Sequence, residues 1–94
     1  MKLYISVNSV ADGTDYGGEQ IIDAQKGEYR LDEIFRLPFF RIVIDEIIDG
    51  ALCFRLMEGA EAHYFVLDKS ERTAQFHRDT SLGADDFLFE LYDD

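Results

Sequence analysis

Apolar side chains recur at every second position along most of this chain, a period that places alternate residues on opposite faces of a β-strand. Leu3, Ile5 and Val7 alternate with Lys2, Ser6 and Asn8, and Phe87, Phe89 and Leu91 alternate with Leu88, Glu90 and Tyr92. Between them, residues 19–25, 39–48, 52–57, 62–68 and 72–78 also read as strands, and 28–31 is extended. Asp32 to Leu37 is ambiguous. Its acidic start suits a short helical turn near 32–37, which Pro38 would end. The sum is about seven strands with no crossover helix, hence an all-β domain over 1–94: an antiparallel sandwich or a small, partly open barrel.

Residues 39–57 form the best hairpin, turning at Asp49-Gly50. A three-residue loop through Ala51 sets Ile44 against Leu56, Ile48 against Leu52 and Asp45 against Arg55. Ile42, Ile44, Ile48, Leu52, Phe54 and Leu56 then share one face, and Val43, Ile47, Cys53 and Met57 share the other. A misfit of Glu46 against Phe54 calls for a β-bulge. The second face is either the far side of a sandwich or an exposed apolar patch, and such a patch makes a homodimer with two-fold symmetry plausible. A second hairpin is expected for 62–78 around Lys69-Ser70.

Aromatic residues make up 14% of the 94 positions, which helps a thin domain build a core. Packing must hold it, because Cys53 is the only cysteine and has no disulfide partner. One cysteine and two histidines do not make a four-ligand zinc site. No signal-like or membrane-spanning apolar stretch is visible, so a cytoplasmic location away from membranes is expected. The net charge of −11 disfavours direct contact with nucleic acid or an anionic lipid surface and favours a basic protein partner, although solubility explains it equally well.

Few residues combine into recognisable chemistry. Asp12, Asp15 and Glu19 lie among glycines, a composition compatible with calcium, but their spacing is not that of an EF-hand loop and turn formation is the expected role. A three-residue loop at Lys69-Ser70-Glu71 would bring His63 opposite His77 on one sheet face, a possible metal or pH-sensitive pair. Nucleophile, zinc-protease, phosphate-loop and dinucleotide motifs are absent, so no catalytic residue, metal site or cofactor is assigned.

The least generic segment is the acidic C-terminus, where Asp85, Asp86, Phe87, Phe89 and Glu90 interleave carboxylates with aromatic anchors. As an edge strand it would resist aggregation, and as a docking strip it would steer a basic partner. The leading expectation is a non-enzymatic acidic protein-binding domain of the inhibitor, immunity-factor, nucleic-acid-mimic or assembly-adaptor type. The alternative is a small-ligand or carbohydrate-binding domain using Tyr16, Tyr29 and Tyr64. A small metal-dependent enzyme using His63 and His77 ranks third.

Overall fold

The computed structural model describes residues 1–31 and 40–92. The helical turn expected near 32–37 lies outside the described residues. Eight strands follow in order: β1 (Lys2–Ala11), β2 (Thr14–Asp23), β3 (Gly27–Arg30), β4 (Phe40–Ile48), β5 (Ala51–Glu58), β6 (Glu61–Leu67), β7 (Thr73–Thr80) and β8 (Gly83–Tyr92). They form two four-stranded antiparallel sheets, β2-β1-β8-β7 and β3-β4-β5-β6, packed as a sandwich. Among the described residues no helix is long and apolar enough to cross a membrane.

The alternation seen in the sequence sets the core. Leu3, Ile5 and Val7 of β1 lie opposite Leu91, Phe89 and Phe87 of β8, and all six are buried. Facing them from the other sheet are Ile42 and Ile44 of β4 and Leu52, Phe54 and Leu56 of β5. Aromatic rings cross the interior: Phe89 stands edge-on to Phe54 at 5.0 Å and tilted to Phe65 at 5.2 Å. Offset and edge-to-face contacts of this kind add to the hydrophobic gain of burial.

Two hairpins differ from expectation. The polar stretch from Asn8 to Gly18 is not a loop. β1 continues to Ala11 and β2 begins at Thr14, joined by Asp12-Gly13 at φ 53° and 72°. Two successive left-handed residues are what a tight hairpin turn requires, and Asp-Gly supplies them. Asp15 and Glu19 are thereby set apart along an extended strand, while Asp12 lies in the turn. Asp49-Gly50 makes the same turn at φ 51° and 81°, so the β4–β5 loop has two residues rather than three. A bulge between Ile44 and Glu46 absorbs the difference. Ile44 therefore pairs with Phe54 and Ile42 with Leu56, while Ile47, not Ile48, follows the inward phase opposite Leu52. The bulge still delivers Asp45 to Arg55, which grips it through Nε at 2.9 Å and Nη2 at 2.8 Å.

The expected 62–78 hairpin does not form. Among the described residues β6 pairs only with β5 and β7 only with β8, so residues 68–72 carry the chain from one sheet to the other. Asp68 organises this link: its Oδ1 accepts hydrogen bonds from the backbone N–H of Ser70 and of Glu71, both at 2.8 Å. Those bonds hold its carboxyl below the usual carboxylate range. At the seam, side chains replace ladder hydrogen bonds, with His63 of β6 packed on Phe76 of β7 at 4.4 Å between ring centres.

Candidate functional site

The pleat decides which of the expected C-terminal residues reach the surface. β8 is a central strand, flanked by β1 and β7, rather than an edge. Its odd-numbered residues point inward, leaving Phe87 2% and Phe89 0% exposed. As core residues, they are not available as anchors for a partner docking on the folded domain. Asp85 is 7% exposed and also faces inward. Only Asp86 and Glu90 of the strip lie on the outer face, so the strand divides the strip rather than presenting it.

Asp85 instead belongs to a polar cluster that closes one end of the sandwich. Ser9 donates its hydroxyl hydrogen bond to Asp85 Oδ1 at 2.5 Å, and Arg78 Nε donates to Asp85 Oδ2 at 2.9 Å. The two terminal nitrogens of Arg78 both reach the Glu58 carboxylate on the opposite sheet. The guanidinium also lies 5.3 Å from the centre of the Phe40 ring. Two carboxylates around it raise the Arg78 pKa. One cation thus joins β7 and β8 of the first sheet to β5 of the second.

The outer faces of the two sheets differ in charge. On the β2-β1-β8-β7 sheet the register lines up four neighbouring rows: Ile21–Tyr4–Glu90–Thr73, Glu19–Ser6–Leu88–Gln75, Gly17–Asn8–Asp86–His77 and Asp15–Val10–Ala84–Asp79. With Asp23 and Lys2 at one end, the described residues of this face hold the carboxylates of Asp15, Glu19, Asp23, Asp79, Asp86 and Glu90 against the ammonium of Lys2 and the imidazole of His77. Glu19 accepts a hydrogen bond from the Tyr4 hydroxyl, whose pKa it raises. Among the described residues the outer face of the other sheet is balanced. Arg41 pairs with Glu28 at 3.2 Å and Arg55 with Asp45, while Arg30 and Glu46 complete the set. Between them Tyr64, 73% exposed, and Val66 present apolar surface beside half-buried Val43 and Cys53.

His63 and His77 are not brought together, because the strands carrying them lie in different sheets. His63 turns inward at the seam, and its buried Nε2 has no hydrogen-bond partner among the described residues. His77 lies on the acidic face between two carboxylates, with Nδ1 2.5 Å from Asp86 Oδ1 and Nε2 3.2 Å from Asp79 Oδ1. Among the described residues no group of three or more His, Cys, Asp or Glu side chains is placed to hold a metal ion. Tyr16, Tyr29 and Tyr64 do not form a common platform. Tyr16 is on β2, Tyr64 is on the outer face of the other sheet, and Tyr29 donates hydrogen bonds to the carbonyls of Asp23 and Gln25 at the β2–β3 crossing.

The Asp86 hydrogen bond, reinforced by the charges of Asp86 and Asp79, raises the His77 pKa above 6.5. A raised folded-state value means the protonated imidazole stabilises the fold. That contribution is complete below the unfolded-state value and is lost as pH rises through the higher folded one. Proton NMR titration should place His77 above 6.5, with Asp86→Asn moving it back down. A His77 that titrates at or below 6.5 would show that the Asp86 contact is not kept in solution.

Comparison with models of known protein families, with curated proteins and with solved structures finds no match for this chain.

Proposed function

We propose that this protein is a non-enzymatic binding domain that takes a basic protein partner on the outer face of the β2-β1-β8-β7 sheet. The observation that carries the reading is the segregation of charge among the described residues: six carboxylates against Lys2 and His77 on that face, and matched charges on the other. Net charge alone argues for solubility as readily as for recognition. Charge concentrated on one flat surface has a further consequence, because it steers a complementary surface into one orientation and accelerates encounter at low ionic strength. Inhibitors, immunity factors, nucleic-acid mimics and assembly adaptors all work through such faces. A homodimer would use the opposite face, where like charges do not meet.

The test compares two sets of neutralising substitutions that change the net charge equally. Asp15→Asn, Glu19→Gln and Glu90→Gln together remove charge from the acidic face. Glu46→Gln, Glu61→Gln and Glu71→Gln remove as much from elsewhere. Capture of basic proteins at low salt should fall about tenfold or more for the first set, a loss of roughly 0.5 kcal/mol per rim charge, and hardly change for the second. Equal losses in both sets would reduce the acidity to a non-specific property of the chain.

A further inference from the structure

At the centre of the acidic face the sheet surface opens into a depression of about 230 Å³ around the side chain of Leu88. Ser6 and Asn8 of β1, Gln75 and His77 of β7, and Asp86 of β8 surround it. Sites for drug-sized molecules have volumes of about 300–1,000 Å³, so this one is sized for a single side chain. Its rim can offer several acceptors, the Ser6 hydroxyl, the amide oxygens of Asn8 and Gln75 and one Asp86 oxygen, alongside the amide N–H groups of Asn8 and Gln75. The other Asp86 oxygen, Oδ1, is held by His77 Nδ1 at 2.5 Å. The half-buried Leu88 provides an apolar floor among these polar groups.

Resting on the reading that the acidic face takes a basic protein, we propose that this depression receives one arginine side chain of the partner. The aliphatic stem would lie on Leu88, with the guanidinium among Asp86, Asn8 and Gln75. Arginine suits the site better than lysine for two reasons. Its planar head carries five N–H donors, which match one carboxylate oxygen and several neutral acceptors spread over three adjacent strands. It is also more weakly hydrated than an ammonium, whose dehydration a single remaining carboxylate oxygen would offset poorly.

Two Gly/Ser peptides of equal length, one carrying three arginines and the other three lysines, test this at low ionic strength by calorimetry and backbone amide NMR. Both peptides should bind. The arginine peptide should bind about tenfold more tightly, the effect of one additional hydrogen bond to a charged group, and it should shift the amides of Asn8, Gln75 and Leu88. Asn8→Ala combined with Gln75→Ala, both at exposed positions, should erase the arginine advantage and leave lysine affinity unchanged. Equal affinity of the two peptides for the unaltered protein, or an arginine advantage that survives the double substitution, overturns the depression as an arginine site while the acidic-face reading stands. Binding of neither peptide at low salt overturns both.

Discussion

Phe89→Ala should destabilise the fold by about 3–5 kcal/mol, the usual cost of deleting an aromatic side chain from a packed interior. A domain of 94 residues has roughly 5–14 kcal/mol of stability in all, so this single change should leave it marginal. Phe89 is fully buried at the centre of β8, opposite Ile5 on one side and Ala74 on the other. Its ring contacts Phe54 and Phe65 from the opposing sheet and stacks on Phe87 at 6.1 Å. Three of its aromatic contacts would therefore be lost at once, and the strands on either side cannot close the gap without breaking their ladders. Phe89→Leu keeps most of the volume and should cost about 1–1.5 kcal/mol. Urea unfolding followed by tyrosine fluorescence reads both variants. The same experiment distinguishes the core role from the docking role that the sequence suggests. A variant that kept its unfolding midpoint and lost only partner affinity would place Phe89 at an interface, contrary to its inward position.

The contrast over Phe89 shows where local pattern is informative and where it is not. Alternation at 3, 5, 7 and at 87, 89, 91 identifies strands and gives the correct inward phase, because a half-buried strand needs no other signal. It does not identify neighbours. β8 reads as a charged edge because its pairing with β1, more than seventy residues away, leaves no mark on either segment. The polar run from Thr14 to Gly18 does not read as strand because β2 is a true edge strand that buries only part of Ile22, and therefore needs little apolar alternation. The 62–78 region reads as a hairpin because a five-residue link between strands looks the same whether the chain turns back or crosses to another sheet. In the β4–β5 hairpin, turn chemistry and apolar phase disagreed by one residue. Lengthening the loop and inserting a bulge both repair such a mismatch, and the chain uses the bulge at Asp45.

The acidic face follows from register alone. Asp15, Asp86 and Asp79 come onto one face only when four strands are aligned, so composition indicates that the charge exists and topology indicates where it is concentrated. The cluster at the end of the sandwich was more accessible. Ser9 continues the inward phase of Leu3, Ile5 and Val7. Asp85 precedes Phe87 on the inward phase of β8, and Arg78 follows Phe76 on that of β7. Three polar residues at core-facing positions, two of opposite charge, are a signal that buried partners must exist, because an unpaired charge in such a place is costly.

Arg78→Ala tests that requirement. Among the described residues Arg78 is the only cation in the cluster, and it separates the carboxylates of Asp85 and Glu58 on opposing sheets. Breaking a buried ion pair by removing one partner costs about 3–5 kcal/mol, mainly because the remaining charge is stranded. The Arg78 side chain is 31% exposed, so water screens part of the interaction and a loss of about 2–3 kcal/mol is expected. Arg78→Met would separate charge from packing: it retains the stem over Phe40 yet strands both carboxylates, and it should lose nearly as much. Adding Glu58→Gln to Arg78→Met removes one of the stranded charges and should recover part of the loss, a non-additivity that a double-mutant cycle detects. Urea midpoints at neutral pH give the four values needed. Arg78→Met within about 0.5 kcal/mol of the parent, a change typical of surface sites, would mean that the two sheets are held by apolar packing alone. The expected result instead makes this one guanidinium the principal polar tie between them.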